Sequence, residues 1–526
     1  LFAPLGAPVG RALVRAAAAA KRRWGYRRVV AVVAVVAGLS AALVSRYSLG
    51  LEGHVWDERE FGFQARIFAA GRLTAIAPPT EVLADTPAGR DNFLVGLNEG
   101  WRPGKWFTIY MPVWPLALAA GELVGRPWLV NPFLGMLTAL VLFGYGRRLV
   151  GDDAAFLACV LYTLSPFVLF NNASFFSEPV FLLLALLFLW AMDLGKERGT
   201  FAPNAAAGFL AALAFGAREY SALAVLLPAG IWWVTDVIRG RRRPASLAYL
   251  ALGAACGAVP LLLYNAAVTG APLRFPRAFS SKVHLGLDAE FVRYYMASNT
   301  TRRLWVFITD VAGWPLVALV PALLPLFFRE LPRPVRLLYY SGLLTILLFV
   351  FPQHLGVDYG ARYYYAALPA VFLGGAWGWR ALARRISAPG RWPPGTAAAA
   401  GVLFVAGATV PYFVALEPVY RDRWAFPDNA RPWVTPELAH ALAVLNVRDA
   451  LVFVSPPERC DGPPPNDAEL RHRLLFARDR GPRNRDFARL YPRARYLRCN
   501  YGLFEQTGYL EELTFYNLQP AGGKRP

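Results

Sequence analysis

The stretch "LEGHVWDEREFGFQARIFAAGRL", Leu51 to Leu73, follows directly on the apolar run "VVAVVAVVAGLSAALVS" (29–45). That run has the composition of a membrane span. Ionisable groups beside hydrocarbon are costly unless solvated or paired, so the adjacent carboxylates of Asp57 and Glu58 mark the opening of an extramembrane loop. Beyond them Phe61, Ala65 and Phe68 recur at helical spacing with Arg66 and Arg72 off that stripe. The pattern predicts a helix lying in the membrane interface.

Working outward, the 526 residues are 56% hydrophobic and only 17% charged, too apolar for an ordinary soluble chain of this length. The fold class expected is mainly α, a polytopic transmembrane helical bundle of about eleven spans by the ~20-residue criterion. They are placed at 29–46, 128–149, 154–171, 178–194, 204–218, 220–238, 245–267, 304–328, 335–352, 363–382 and 396–416. "TIYMPVWPLALAAGELVG" (108–125) is apolar but short and carries Pro112 and Pro115, so it reads as a second juxtamembrane helix.

Positively charged joints stay on the cytoplasmic side. "KRRWGYRR" (21–28), "GRRLVGDD" (146–153), "GKERG" (195–199), "IRGRRRP" (238–244), "FFRELPRPVR" (327–336) and "RALARRISAPGR" (380–391) all fall on that side in one threading. The same threading puts 47–127, 171–178, the turn near 218, 269–303, 352–362 and 417–526 outside. Much of the formal charge of +20 sits in the cytoplasmic joints, so anionic lipid headgroups, not nucleic acid, are the expected partners. No cleavage site is evident after Ser45, so the first apolar run reads as an uncleaved span.

The domain organisation follows from these signals. Residues 1–28 form a basic cytoplasmic segment, 29–416 a membrane domain whose external loop 47–127 carries juxtamembrane helices, and 417–526 an extracytoplasmic α/β domain. In this last region "ALVFVSPP" (450–457), "RLLFARD" (473–479) and "ARYLRCN" (494–500) read as strands, and "NRDFARLYP" (484–492) as a helix. Alternating strand and helix favours a parallel sheet. Cys460 and Cys499 both lie in this region, where an oxidising compartment would let them pair.

The threading collects ionisable groups on the external side: Asp57, Glu58, Glu178, Arg218, Glu219, His354, Asp358 and Arg362, with Lys105 and the basic loop "LRFPRAFSSKVHLG" (273–286) adding positive charge. Carboxylates beside cations suit a reaction in which a base removes a proton and cations hold a phosphate. Each residue also has a plainer reading. Asp57 suits a helix N-cap, Glu178 before Pro179 a first-turn acid, Arg362 a snorkelling span end, Tyr363 an aromatic belt, and His354 an interfacial histidine.

Three segments, "WDEREFGFQARIFAAGRL" (56–73), "YTLSPFVLFNNASFFSEPVFLLLALLFLW" (162–190) and "YGARYYYAALPAVFLGGA" (359–376), resemble the membrane-embedded GT-C glycosyltransferases, in the style of the protein O-mannosyltransferases and lipid A aminoarabinose transferases. The resemblance spans roughly residues 25–385. It implies transfer of a sugar from a polyprenyl-phosphate carrier to an extracytoplasmic glycan, lipid or protein, at a bacterial inner or plasma membrane. It also implies that Asp57 is the catalytic base with Glu58 as the alternative, that Glu178 holds the second external acidic position, and that Arg362 with Tyr363 lies near the lipid phosphate. Asp57, Glu178 and His354 are the candidate ligands for a divalent metal, Mg²⁺ or Mn²⁺. The chain lacks the large middle domain of the protein mannosyltransferases, which places a protein hydroxyl acceptor in doubt. Competing readings are a flippase or polymerase of lipid-linked oligosaccharides, another transporter, and an assembly protein. A transporter would place its charges near mid-bilayer, whereas here they gather at span ends.

Overall fold

A computed structural model describes residues 3–76, 99–279, 296–311, 320–327, 331–352, 356–386, 436–455, 474–500 and 510–513. His354, Cys460, the expected span 396–416, part of 304–328 and the expected boundary at 417 lie outside the described residues. In chain order the elements are α1 (Ala3–Tyr47), α2 (Trp56–Ala69), β1 (Glu99–Arg102), β2 (Lys105–Thr108), α3 (Val113–Leu123), α4 (Val130–Val150), α5 (Asp152–Leu164), α6 (Pro166–Ala173), α7 (Glu178–Arg198), α8 (Phe201–Ala217), α9 (Glu219–Ile238) and α10 (Ala245–Thr269). Then follow α11 (Ala297–Asp310), α12 (Arg333–Leu348), a 3₁₀ turn Arg362–Ala367, a π-helical turn Ala370–Gly374, α13 (Gly375–Ile386), α14 (Pro436–Val444), β3 (Ala450–Ser455), β4 (Leu474–Arg478), α15 (Asn484–Ala488), β5 (Arg495–Asn500) and β6 (Glu511–Leu513).

Among the described residues five stretches have the length and apolarity of a membrane span: Gly25–Tyr47, Pro127–Val150, Glu178–Arg198, Glu219–Ile238 and Ala245–Thr269. A sixth is the pair α5–α6 if its two arms are one span. They meet at a 62° bend where Pro166 starts α6 without a backbone N–H to satisfy and the Ser165 hydroxyl accepts from Val168 N. The expected spans at 204–218 and 335–352 are the shorter helices α8 and α12, and 363–382 is divided among the 3₁₀ turn, the π turn and α13.

The chain divides into two compact units. The first comprises Leu1–Glu52, Trp128–Pro260 and His284–Ala425. In it α7 packs along α8, and α1 along α4. Small residues set the approach of α8 to α10: a Cβ on Gly208 would meet the Leu250 carbonyl, and one on Gly253 the Ala205 carbonyl. Lipid offers no hydrophobic drive between apolar helices, so close backbone contact at such residues is what joins them.

Three of the basic joints of this unit meet. At one end Arg148 pairs with Glu197, Lys196 with Asp236 at 2.5 Å, and Arg380 donates to the Val150 carbonyl at 2.6 Å, bringing together the joints 146–153, 195–199 and 380–391. Arg242 lies over the Trp233 ring at 3.9 Å and donates to Asn204 and the Met192 carbonyl.

The second unit comprises Gly53–Pro127, Leu261–Val283 and Phe426–Pro526. Its four-stranded sheet has the order β4-β3-β5-β6, with β3 parallel to both β4 and β5 and β6 antiparallel at the edge. One face packs Val452, Val454, Phe476 and Leu497 against Leu438 and Leu442 of α14. The other face, with Leu451, Phe453, Leu475 and Tyr496, shares a core with Phe487 of α15 and with Phe63, Ile67 and Trp106 of the first loop. The tail sheet and α2 are thus halves of one hydrophobic core. Cys499 is a buried free thiol within the first of these faces, and burial pushes it up to about 12.

Candidate active site

In the second unit α2 assigns different tasks to the two acids that open the loop. Glu58, third in the helix and 1% exposed, accepts the backbone N–H groups of His54 at 2.9 Å and Val55 at 3.0 Å. That is the acidic half of a capping box, and it satisfies donors the helix start leaves over. Glu58 is therefore a structural cap, and the alternative assignment of the base to it is set aside.

Asp57 is partly exposed and accepts a hydrogen bond from the Tyr110 hydroxyl at 2.6 Å. Tyr110 stands just before α3, with its ring 4.5 Å from Phe61, and Phe61 in turn meets Trp114. The Arg277 guanidinium lies 6.0 Å from the Tyr110 ring centroid, so the basic loop expected near the site supplies a cation here. Burial and the Asp57 carboxylate push the phenol well above its ordinary range, against a smaller opposing pull from Arg277.

Two expectations change in this unit. The apolar stripe of α2 does not face lipid: Phe61 is 4% exposed and Ala65 fully buried, because α3 and the tail sheet cover the helix. Lys105, expected as a phosphate cation, donates to the Ala267 carbonyl in the last turn of α10 at 2.5 Å, where a cation complements the helix end.

In the first unit, three joints that the threading places outside meet in space. Glu178, fully buried at the start of α7, lies 2.8 Å from Arg218 and 3.9 Å from Arg362. Arg218, between α8 and α9, also donates to Ser177 Oγ at 3.0 Å. Arg362 adds an ion pair with Asp358 at 3.2 Å and lies over the Phe176 ring at 4.2 Å. Its side chain is 2% exposed, so the snorkelling reading of Arg362 is overturned.

The segment leading to Arg362 is held in an unusual backbone. Gly356, Tyr359 and Gly360 all have positive φ, 62°, 51° and 93°. For a tyrosine this conformation is strained. Asn171 of α6 clamps it by donating to the Tyr359 carbonyl at 3.0 Å, and Phe176 packs against the Tyr359 ring. A side chain at 360 would strike Phe167. Tyr363, stacked on Phe349 at 4.7 Å, lies between two guanidiniums, Arg362 at 5.3 Å and Arg303 at 5.5 Å, so it is not a lipid-facing belt residue. Arg303 itself is fully buried and donates to the carbonyls of Phe349 and Pro352.

Sequence reasoning missed Tyr110, Arg303, Asn171 and the strained Tyr359. The one local signal was "VDYGAR", an aromatic between two residue types that tolerate turns. Among the described residues no three His, Cys, Asp or Glu side chains converge as a metal site. Of the expected metal set, Glu178 pairs with Arg218 in the first unit and Asp57 accepts from Tyr110 in the second, while His354 lies outside the described residues.

No family model and no curated protein matches the chain. Solved structures do. ArnT from Cupriavidus metallidurans, determined in the apo state and bound to undecaprenyl phosphate, superposes with a TM-score of 0.54 at 15% identity over 91% of this chain and 94% of that one. The apo oligosaccharyltransferase of Archaeoglobus fulgidus gives 0.49 at 13% identity, covering 81% of this chain and 60% of its own. The mycobacterial arabinofuranosyltransferase AftD gives 0.47 at 16% identity, covering 90% of this chain and 35% of its own. The polytopic chain thus has a fold similar to that of ArnT.

Proposed function

We propose that the chain is an inverting glycosyltransferase that moves a sugar from a polyprenyl-phosphate donor to an acceptor on the extracytoplasmic face of a bacterial plasma membrane. The observation that carries this reading is the buried Glu178 carboxylate gathering Arg218 and Arg362 at the start of α7. A guanidinium fixed by a buried counter-charge is a ready phosphate partner, because its planar donors are already oriented. Arg218, 14% exposed against 2% for Arg362, is the better placed of the two to meet a phosphate, and Arg362 orients the cluster. The undecaprenyl phosphate bound by ArnT supports the same class of donor.

In this reading an acceptor hydroxyl loses its proton to Asp57 as its oxygen attacks the anomeric carbon. The bond from that carbon to the phosphate oxygen breaks, and its electron pair departs with the polyprenyl phosphate. Cations, not a general acid, stabilise this leaving group, and a single displacement inverts the anomeric centre.

The test is incubation of the purified protein in liposomes with a panel of undecaprenyl-phosphate sugars and lipid-extract acceptors. Release of undecaprenyl phosphate coupled to glycosylation of an acceptor is the expected result. Movement of intact donor between leaflets without its cleavage would instead assign the chain to transport.

A further inference from the structure

We infer that Tyr110 is the positioning residue of the base: its hydroxyl holds one oxygen of Asp57 so that the carboxylate is oriented for proton removal. The inference rests on the reading of Asp57 as the base. It begins from the 2.6 Å hydrogen bond between two side chains of different elements, one on the first turn of α2 and one just before α3. Those elements are packed along each other, and the Phe61 ring fixes the phenol from the side at 4.5 Å. A carboxylate with one oxygen held by a fixed donor cannot turn freely, so its other oxygen keeps one direction. Nothing in the spacing of Asp57 and Tyr110 announces the pair, because fifty-odd residues and the hairpin β1–β2 separate them.

The experiment measures kcat and KM for undecaprenyl phosphate release from undecaprenyl-phospho-arabinose and undecaprenyl-phospho-mannose, in liposomes, for the full chain and for Tyr110→Phe, Asp57→Asn and the double variant. Loss of the hydroxyl should lower kcat about tenfold with KM unchanged, the size of a charge-assisted hydrogen bond. In the Asp57→Asn background Tyr110→Phe should change nothing further. A Tyr110→Phe kcat equal to the native one overturns the inference. So does an equal rate loss in both backgrounds, which would make Tyr110 a packing residue. Full activity of Asp57→Asn fails differently, since it removes the base itself. Thermal unfolding of each variant in detergent separates misfolding from these outcomes.

Discussion

Asp57 and Glu58 are consecutive residues on one helix turn, and a helix points neighbours roughly 100° apart. That rotation is why one acid folds back onto the helix start while the other reaches Tyr110. Asp57→Asn should lower turnover by at least about a hundredfold with an unchanged unfolding temperature, the scale of a general base. Glu58→Gln should do the reverse, costing about 1 kcal/mol of stability and little rate, read by thermal unfolding beside the same assay. Glu178 makes a different demand, because removing it takes the counter-charge at 2.8 Å from Arg218 and one of the two carboxylates near Arg362. Glu178→Ala should therefore cost about 3 kcal/mol, whereas Glu178→Met with Arg218→Met should regain most of the stability and none of the donor binding. Recovery of binding in that double variant would remove Arg218 from the donor site. The sequence made these acids visible as candidates, since an ionisable group beside hydrocarbon is costly unless it is solvated or paired. It did not divide their roles, because capping and counter-charge depend on which backbone and which arginine the fold brings near.

At the scale of elements, the strands of the tail were legible. The runs 450–457, 473–479 and 494–500 contain β3, β4 and β5, and β-branched and aromatic residues in short runs are what a pleated core selects. Helices with a long apolar stretch were legible for the same kind of reason, whereas the bend at Ser165 and the π turn at 370–374 left no mark in hydropathy. The face of α2 was misassigned because an apolar stripe looks the same whether lipid or protein covers it. The carboxyl end of the tail sheet is joined through Asp479. Burial alone would raise this carboxylate, but the Gly481 N–H, Asn484, Ser455 and the charge of Arg498 outweigh it and hold it below the usual range. A lowered folded-state value adds stability that is fully present above the unfolded value, about pH 3.9, and is lost as pH falls through the folded one. Hydrogen-exchange protection of β3, β4 and β5, taken relative to intrinsic exchange, should accordingly fall on acidification below about pH 4, and Asp479→Asn should abolish that dependence.

For the whole molecule, the shared core of α2 and the tail sheet changes what removal of the tail would do. Sequence alone suggests a separable domain over the acceptor side, whose loss would leave the donor to be hydrolysed by water. Removing 436–526 instead uncovers Phe63, Ile67 and Trp106, the groups that seat the helix carrying Asp57. Donor hydrolysis should fall together with transfer, and limited proteolysis should cut within 53–76; retention of hydrolysis by the truncated chain would show that α2 holds its place without the tail. The same core sets a clock on biogenesis. Phe63 leaves the ribosome well before its partners Leu451 and Tyr496, which at about 5–20 residues per second is a delay of roughly 20 to 90 seconds. Until β3 and β5 have been made and delivered to the same unit, the helix bearing Asp57 has no complete seat. A newly made copy therefore matures in two stages, with α2 waiting on strands synthesised several hundred residues later.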